Sequence, residues 1–394
     1  MATRKKILIG FGTRPEALKF APLIKALDAS SAFDCRVCIT GQHREMLDQV
    51  MKFFRLRVDA DLNLMQKNQT LAYISGQVIA RFGEILRQMK PDLVIVQGDT
   101  ATALMAGIAA FYARVPVAHL EAGLRTGNKS EPFPEEMNRK LLAHIADLHF
   151  TPTPAATANL LKEGIPSKSI HEIGNTIVDT VKLSRKNLKK SYPIFKGIDF
   201  TKKIIFVTAH RRESFGQGLL NIFQALRRLA EQVSGIEIVY PVHLNPNVSE
   251  PAHRVLGSRS GIHLLRPLSY EETCWILEKC KLVLTDSGGI QEEAPSFSKP
   301  VLVLRSVTER GEGILAGCAK LVGTDPDKIF RETQALLNST EQYKRMQVRR
   351  NPYGDGQSCR RILNILKREM PCLVFRGQTT PKAARKIRRR SPAS

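Results

Sequence analysis

The sequence predicts an α/β protein made of two doubly wound, parallel-sheet domains. Short runs rich in Val, Ile and Leu alternate with longer amphipathic runs, and this alternation occurs on both sides of a basic stretch at residues 184–203. Continuous apolar strands separated by helices are typical of parallel sheets covered on both faces. Ligands of such sheets bind beyond the carboxyl ends of the strands. We therefore expect an active site in the cleft between the domains, built from the polar residues that follow the strands.

The predicted strands are short and lie in two groups. The first half contains "KKILIGF", "CRVCIT", "DLVIVQ", "VPVAHL" and "DLHFTP", and the second contains "KKIIFVTA", "IEIVYPV", "IHLLR", "KLVLTD", "PVLVL" and "AKLVG". Helical patterns between them include 15–28, 70–89, 135–145 and 218–233. We predict a first domain over residues 1–180, a second over 181–356 and a basic, disordered tail over 371–394.

Composition limits the class of protein. The 394 residues are 43% hydrophobic, enough for a full core, and no apolar run reaches the roughly 18 residues that a membrane helix needs. "MATRKKILIGFG" predicts a first strand rather than a signal peptide. Cys35 and Cys38 form a C-x-x-C pair inside an apolar run, which favours buried thiols of a cytoplasmic protein over a metal or redox site. The net charge of +23 predicts weak, salt-sensitive polyanion binding, chiefly through the tail.

The segment after the first strand, "GFGTRPEALKFAPL", argues against a nicotinamide cofactor. Gly10 and Gly12 begin a dinucleotide fingerprint, but Pro15 takes the place of the third glycine. The second strand ends in "CITGQHR", which offers no acidic residue for a ribose. Arg14 and Lys19 instead lie near the positive end of a helix that starts at the proline, which predicts an anion site.

Three carboxylates follow strands or begin a helix in the first domain. Asp99 lies in "QGDTATA", Glu121 in "HLEAGLRTGN", and Glu135 in "EPFPEEMNR" together with Arg139. Taken singly, Asp99 could cap a helix and Glu135 could interact with a helix dipole. Gathered at one edge of one sheet, the three favour acid/base chemistry on a sugar, which needs proton donors and acceptors on both ring faces.

The second domain supplies a phosphate cradle and further cations. "KLVLTDSGGIQEE" is a strand, a Ser287-Gly288-Gly289 turn and a helix start, an arrangement that points backbone N–H groups at an anion. Glu293, one turn later, suits ribose hydroxyls. A nucleotide sugar offers both a diphosphate and a ribose and would fit this pair of features. The remaining candidates after strands are His210 and Arg211 of "TAHRRES", His243 of "YPVHLNPN" and Arg310 of "TERGEG".

These segments resemble a known family. "GTRPEALKFAPL", "TGQHREMLDQV", "QGDTATA", "HLEAGLRTGN", "PFPEEMNR", "GNTIVD", "TAHRRESFG", "PVHLNPNV", "LTDSGGIQEEAPS", "TER" and "NPYGDG" are similar to the bacterial non-hydrolysing UDP-N-acetylglucosamine 2-epimerases, from about residue 5 to about residue 368. The resemblance implies two Rossmann-like domains of the GT-B kind, a homodimer, no cofactor or metal, and a last helix at 357–370 that packs back on the first domain. It implies elimination of UDP to 2-acetamidoglucal and readdition, with the product supplied to surface polysaccharide biosynthesis.

The resemblance also assigns roles to residues. The catalytic set is Asp99, Glu121, Glu135 and His210. The set that holds the UDP-sugar is Arg14, Lys19, Arg139, His243, Ser287, Gly288, Gly289, Glu293 and Arg310. Some members of the family are activated by a second substrate molecule, and Gln42, Arg211 and His243 match that site. The chain departs from the family at Gly311, where a proline is usual, and this loosens the loop that carries Arg310.

Three alternatives stay open from the sequence. A relative could act on a modified UDP-sugar of the diacetamido uronic acid type, which would need a cation for the C6 carboxylate. A hydrolysing epimerase would release N-acetylmannosamine and UDP. A basic nucleic-acid-binding protein on a retired enzyme scaffold is the non-enzyme alternative, against which every acid/base position is intact.

Overall fold

The computed structural model describes residues 4–41, 44–64, 66, 69–371 and 373, apart from the side chain of residue 45. Over these residues the chain forms two parallel sheets, one of seven strands and one of six, each covered by helices. The predicted fold class, two doubly wound α/β domains, is confirmed.

The first domain alternates strands and helices throughout. Its strands are β1 (Lys5–Phe11), β2 (Phe33–Ile39), β3 (Ala60–Asp61), β4 (Leu93–Gln97), β5 (Val117–Leu120), β6 (Leu148–Thr151) and β7 (Ile170–Glu172). Its helices are α1 (Arg14–Asp28), α2 (Arg44–Phe54), α3 (Leu71–Met89), α4 (Ala101–Tyr112), α5 (Glu135–Ile145), α6 (Pro154–Lys162) and α7 (Thr176–Arg185). The sequence did not predict β3 and β7, which lie at the two edges and are too short to produce an apolar run.

The second domain also alternates strands and helices. Its strands are β8 (Lys203–Thr208), β9 (Ile236–Pro241), β10 (Ile262–Leu265), β11 (Leu282–Thr285), β12 (Val301–Val303) and β13 (Ala319–Leu321). Its helices are α8 (Gln217–Gln232), α9 (Pro246–Leu256), α10 (Tyr270–Lys279), α11 (Gly288–Glu293), α12 (Gly311–Leu315), α13 (Pro326–Asn338) and α14 (Thr340–Met346). A last helix, α15 (Ser358–Glu369), lies against α1 and α7 of the first domain. The residue bounds that we assign to the domains remain a prediction.

The strand order of each sheet locates the crevice where ligands bind. The first sheet runs β3-β2-β1-β4-β5-β6-β7 and the second runs β10-β9-β8-β11-β12-β13, with every pair parallel. The order reverses between β1 and β4 in one sheet and between β8 and β11 in the other. Loops diverge at such a switch point and leave a crevice beyond the carboxyl ends of the strands.

The start of α1 shows how the sequence forms one wall of this crevice. Thr13 is the N-cap and Pro15 lies in the first turn, where its missing N–H has no cost. Glu16 completes a capping box, because its carboxylate accepts the N–H of Thr13 at 2.8 Å. The helix therefore begins at Arg14 and projects Arg14 and Lys19 from its first two turns.

Apolar side chains of both domains belong to one buried cluster. It includes Phe20 and Ile24 of α1, Trp275 of α10 and Ile362 of α15. Cys35 and Cys38 are buried free thiols, as predicted, and burial raises the pKa of each to about 12. Within the described residues no helix is both long and apolar enough to cross a membrane.

Candidate active site

The first domain brings its predicted residues to the carboxyl edge of its sheet. Arg14 and Lys19 follow β1, Asp99 follows β4, and Glu121 follows β5. Glu121 has a φ of 63°, in the left-handed region that residues with a Cβ rarely adopt. Such backbone conformations cost about 1–3 kcal/mol and are concentrated at functional sites. The backbone therefore turns sharply at Glu121, and its carboxylate meets the Lys19 ammonium group.

Four buried charges join the two domains across the cleft. Lys19 binds Glu121 and also lies 3.4 Å from the carboxylate of Glu292, at the end of α11. Arg310, just before α12, donates from Nε to Glu292 at 3.0 Å. None of these side chains is more than 16% exposed. We call Lys19, Glu121, Glu292 and Arg310 the cross-cleft cluster, and its two cations balance its two carboxylates.

The proton affinities within the cross-cleft cluster are unequal. Burial opposes the charged form of Lys19, but the neighbouring Glu121 and Glu292 outweigh it and raise the Lys19 pKa. Burial raises the pKa of Glu121, and the charge of Glu292 adds to this effect. Burial also disfavours the charged form of Glu292, but Lys19 and Arg310 hold its pKa below the ordinary value. Of the two carboxylates of the cluster, Glu121 therefore has the higher proton affinity.

Asp99 forms an ion pair rather than a helix cap. The N-cap of α4 is Thr100, whose hydroxyl accepts the N–H of Ala103 at 3.0 Å, so the alternative of Asp99 as a cap is wrong. The Asp99 carboxylate lies 2.6 Å from Arg139, which also pairs with the fully buried Glu136 at 3.1 Å. Arg139 thus holds Asp99 at the sheet edge and is itself held by a second carboxylate.

Glu135 is the first residue of α5 and is half-buried. Its position fits the alternative of a first-turn partner for the helix dipole. The neighbouring Glu136 accepts the N–H groups of Thr126 and Gly127 at 3.0 and 3.1 Å. No hydrogen bond or ion pair of the Glu135 carboxylate occurs within the described part of the chain. Its reactive role remains a prediction.

The second domain presents two histidines at its sheet edge. The rings of His210 and His243 stack at a centroid distance of 5.4 Å and an angle of 14°. Burial lowers the pKa of His210, against the opposing effect of Asp286. Arg211 is adjacent to His210, whereas Gln42 lies outside the described residues. An activating site made from Arg211 and His243 would therefore share a wall with His210, and it remains a prediction.

The Ser287-Gly288-Gly289 turn ends β11 and begins α11, as the sequence predicts. A Cβ on Gly288 would lie 3.2 Å from the guanidinium carbon of Arg310. The absence of a side chain at Gly288 therefore lets Arg310 lie directly over the turn. An anion bound there would meet backbone N–H groups and a guanidinium together.

The cleft combines buried cations and carboxylates. Among the described residues, no group of three or more His, Cys, Asp or Glu side chains could hold a metal ion. A sequence model of the family described as UDP-N-acetylglucosamine 2-epimerase matches residues 25–367 of the chain. The chain belongs to this family. It is therefore an epimerase, an enzyme of the isomerase class, as the resemblance predicted.

Individual relatives are similar over nearly their whole length. The UDP-N-acetylglucosamine 2-epimerases of Salmonella typhimurium and Escherichia coli K12 are each 49% identical to this epimerase, over 92% of its chain and 98% of theirs. A crystal structure of the Neisseria meningitidis UDP-GlcNAc 2-epimerase bound to UDP-GlcNAc has a TM-score of 0.87 and 44% identity, and covers 92% of this chain and 100% of that one. Both kinds of comparison therefore include the two sheets and the cleft.

Sequence reasoning missed two carboxylates of the epimerase. Glu292 was not among the predicted residues, yet it bridges the two cations of the cross-cleft cluster. Glu16 is fully buried, accepts the Thr100 hydroxyl at 2.8 Å, and so ties the start of α1 to the loop that carries Asp99. The T-x-x-E spacing of Thr13 and Glu16 is a capping-box signal that would have identified Glu16. No local pattern marks Glu292, whose partner Lys19 is distant in sequence.

Glu293 gives a testable pH dependence. Burial raises its pKa to about 8, against the opposing charge of Arg14. Because the folded pKa lies above the unfolded value, its contribution to stability is complete below about pH 4.5 and is lost as the pH rises through about 8. Glu293→Gln lacks this titrating group, so its free energy of unfolding should fall less steeply with pH than that of the wild-type protein. The two slopes should differ by up to about 1.4 kcal/mol per pH unit. Urea unfolding of ligand-free protein between pH 5 and pH 8 measures both slopes. The same dependence of stability on pH in the wild-type protein and the variant would contradict the prediction.

Proposed function

We propose that this epimerase interconverts UDP-N-acetylglucosamine and UDP-N-acetylmannosamine in the cleft between its sheets. The observation that carries the proposal is the cross-cleft cluster, where a carboxyl group that can hold a proton lies beside two cations that can neutralise a diphosphate. The identity of the substrate is inferred from the related proteins, which are UDP-N-acetylglucosamine 2-epimerases. The proposed product would serve surface polysaccharide biosynthesis.

The chemistry proceeds by elimination and readdition. A carboxylate takes the C2 proton of the sugar, the C2–H electron pair forms the C1–C2 double bond, and the C1–O pair leaves with UDP. The 2-acetamidoglucal stays in the cleft until UDP adds back at C1 and a proton returns to the other face of C2. We propose Asp99, Glu121 and Glu135 as the groups that give and take these protons.

Departure of UDP is what makes loss of a barely acidic C2 proton feasible. Negative charge develops on the diphosphate as the C1–O bond breaks, and cations fixed in a dry cleft stabilise it strongly. We propose that Arg14, Lys19 and Arg310 surround the diphosphate, with His210 at its reacting end. The remaining contacts to the UDP-sugar come from Arg139, His243, Glu293 and the turn at Ser287, Gly288 and Gly289.

The anchoring of Arg310 favours epimerisation over hydrolysis. The Arg310 N–H donates to the Thr308 hydroxyl at 3.1 Å, and the Tyr353 hydroxyl donates to the Arg310 carbonyl at the same distance. Glu292 holds the guanidinium. These contacts secure the loop although Gly311 follows it, so the glucal and UDP can be retained together. A modified uronic acid substrate would need a further cation in the cleft, and no contact among the described residues favours that substrate or a nucleic-acid role.

The isotope pattern in D₂O distinguishes epimerisation from hydrolysis. We expect product and recovered UDP-N-acetylglucosamine both to gain deuterium at C2, because the abstracted proton exchanges with solvent while the glucal is trapped. Proton NMR of the C2 position, with UDP measured in parallel, tests this on the full chain. Stoichiometric release of UDP and free N-acetylmannosamine would show a hydrolysing enzyme. Turnover of other UDP-sugars but not this one would reject the proposed substrate.

Assembly and location are also part of the proposal. We propose a homodimer, because the neighbouring helices α4 and α5 expose the apolar side chains Phe111, Tyr112, Met137 and Leu141. Analytical ultracentrifugation that gives the mass of a single chain would contradict the homodimer.

The six described cysteines are free thiols, which agrees with a cytoplasmic enzyme. Residues 374–394 lie outside the described residues, so polyanion binding by the basic tail stays a prediction.

A further inference from the structure

Asp286 lies directly after β11, at the switch point of the second sheet, and is fully buried. Its Oδ2 atom accepts the backbone N–H groups of His210 at 2.5 Å and Arg211 at 2.7 Å. The carboxylate therefore fastens the loop after β8 to the end of the neighbouring strand β11. This places His210 at a fixed point on the sheet edge.

The other carboxylate oxygen of Asp286 has a different surrounding. Oδ1 is buried and has no hydrogen-bond partner among the described residues. Nδ1 of His210 lies 3.6 Å from Oδ1. Buried polar atoms are nearly always paired, so an unpaired carboxylate oxygen calls for a functional explanation. Catalytic hydrogen bonds are often long in the free enzyme and shorten in the complex, and a shift of a few tenths of an ångström would form this one.

The imidazole of His210 is also held on one face. It stacks on His243 with the two rings 14° from parallel. The charged and titratable groups that face it are Asp286, His243 and Arg211. From β9, the Tyr240 hydroxyl donates to the Ala209 carbonyl at 2.7 Å, which fixes the backbone just before His210. No hydrogen-bond partner of His210 Nε2 is found in the described part of the chain.

We propose that Asp286 is a positioning residue for the reaction proposed above and that it acts through His210. It keeps the proton of the neutral imidazole on Nδ1, so that Nε2, on the far side of the ring, carries the lone pair that can accept a proton. When Nε2 takes up that proton, Asp286 faces the resulting imidazolium and stabilises it. The tautomer of a histidine is set by the hydrogen bond of its other nitrogen, and this inference rests on the proposed function only for its effect on turnover.

A purely structural role for Asp286 predicts a different outcome for one variant. In Asp286→Asn the amide oxygen can still accept both backbone N–H groups. The amide NH₂ then replaces Oδ1, donates to Nδ1 of His210, and moves the ring proton to Nε2. We expect turnover to fall by about 100-fold or more, with KM little changed. An anchor for the backbone alone would leave turnover nearly normal.

Asp179 provides a matched control. Its carboxylate is buried and accepts the backbone N–H groups of Ser358 and Cys359 at 3.2 and 3.1 Å, with no histidine among its partners. It uses both oxygens for these bonds, so Asp179→Asn should lower Tm at least as much as Asp286→Asn. It should keep wild-type turnover. Equal loss of turnover in both variants would mean that lost stability, rather than a changed tautomer of His210, lowers turnover. That result would overturn the proposal.

Nitrogen NMR of ring-labelled histidine reads the tautomer directly in the full chain, without substrate. The His210 signals are assigned by their absence in His210→Gln. We expect Nδ1–H in the wild-type protein and Nε2–H in Asp286→Asn. A proton on Nε2 of His210 in the wild-type protein, or normal turnover of Asp286→Asn, would overturn the proposal. The wild-type spectrum tests the tautomer even if the variant does not fold. If the wild-type protein epimerises no UDP-sugar, the proposed function is wrong. The tautomer of His210 still tests whether Asp286 pairs with Nδ1.

Discussion

Glu121→Gln is expected to lower turnover by about two to four orders of magnitude, the contribution of a positioned acid or base. Glutamine keeps the shape of the side chain and can still accept a hydrogen bond from Lys19. It cannot exchange a proton, whereas burial raises the pKa of the Glu121 carboxyl and favours its protonated form. Initial rates of UDP-N-acetylglucosamine epimerisation measure the effect, with circular dichroism to confirm the fold.

Glu237→Gln is the matched control for this prediction. Glu237 is a buried carboxylate paired with a lysine, Lys202, at 2.6 Å, and it lies on β9 rather than beyond a strand end. The control should keep wild-type turnover. Near-normal rates for Glu121→Gln would remove Glu121 from the acid/base set. Similar losses in both variants would indicate a general cost of neutralising a buried carboxylate.

Lys19→Met is expected to be the most destabilising single change in the cleft. It removes one cation and leaves Glu121 and Glu292 facing each other with Arg310 alone to balance them. Breaking a buried ion pair from one side costs about 3–5 kcal/mol, because an uncompensated charge remains. Turnover should fall as well, because the diphosphate loses one of its counter-charges. Denaturant unfolding and initial rates measure the two effects.

The double variant Lys19→Met/Glu292→Gln tests the cause. It leaves one cation, Arg310, and one carboxylate, Glu121, so the charges in the cleft balance again. We expect it to be more stable than Lys19→Met alone, although turnover should not recover. A double variant less stable than Lys19→Met would mean that lost packing, rather than an unbalanced charge, causes the destabilisation.

Most of the fold follows from local patterns. The predicted helices at 15–28, 70–89, 135–145 and 218–233 agree within one residue with the observed helices α1, α3, α5 and α8. Long amphipathic runs with caps at their ends carry enough local information to place their boundaries. The edge strands β3 and β7 do not, because two or three residues paired by neighbouring strands show no periodicity of their own.

The candidate site was predictable as far as it follows strand ends. Asp99, Glu121 and Ser287 were found because parallel strands end at one edge of a sheet. The partners of these residues were not. Pairing of Lys19 with Glu292 depends on how the two sheets face each other, and no spacing in the sequence encodes that. The same holds for Asp286 and His210, whose contact joins the ends of two strands of one sheet.

The buried apolar cluster that runs through both domains restricts how they can separate. Phe54 of α2 packs against Tyr270 of α10 with ring centroids 6.1 Å apart, and α7 touches both α10 and α11. Pulling the sheets fully apart would expose this apolar surface to water, whereas a rotation about it would not. We therefore expect the cluster to act as a hinge, about which a tilt of one domain would open only the charged side of the cleft. Because each domain covers apolar surface of the other, the two should melt together as one cooperative unit.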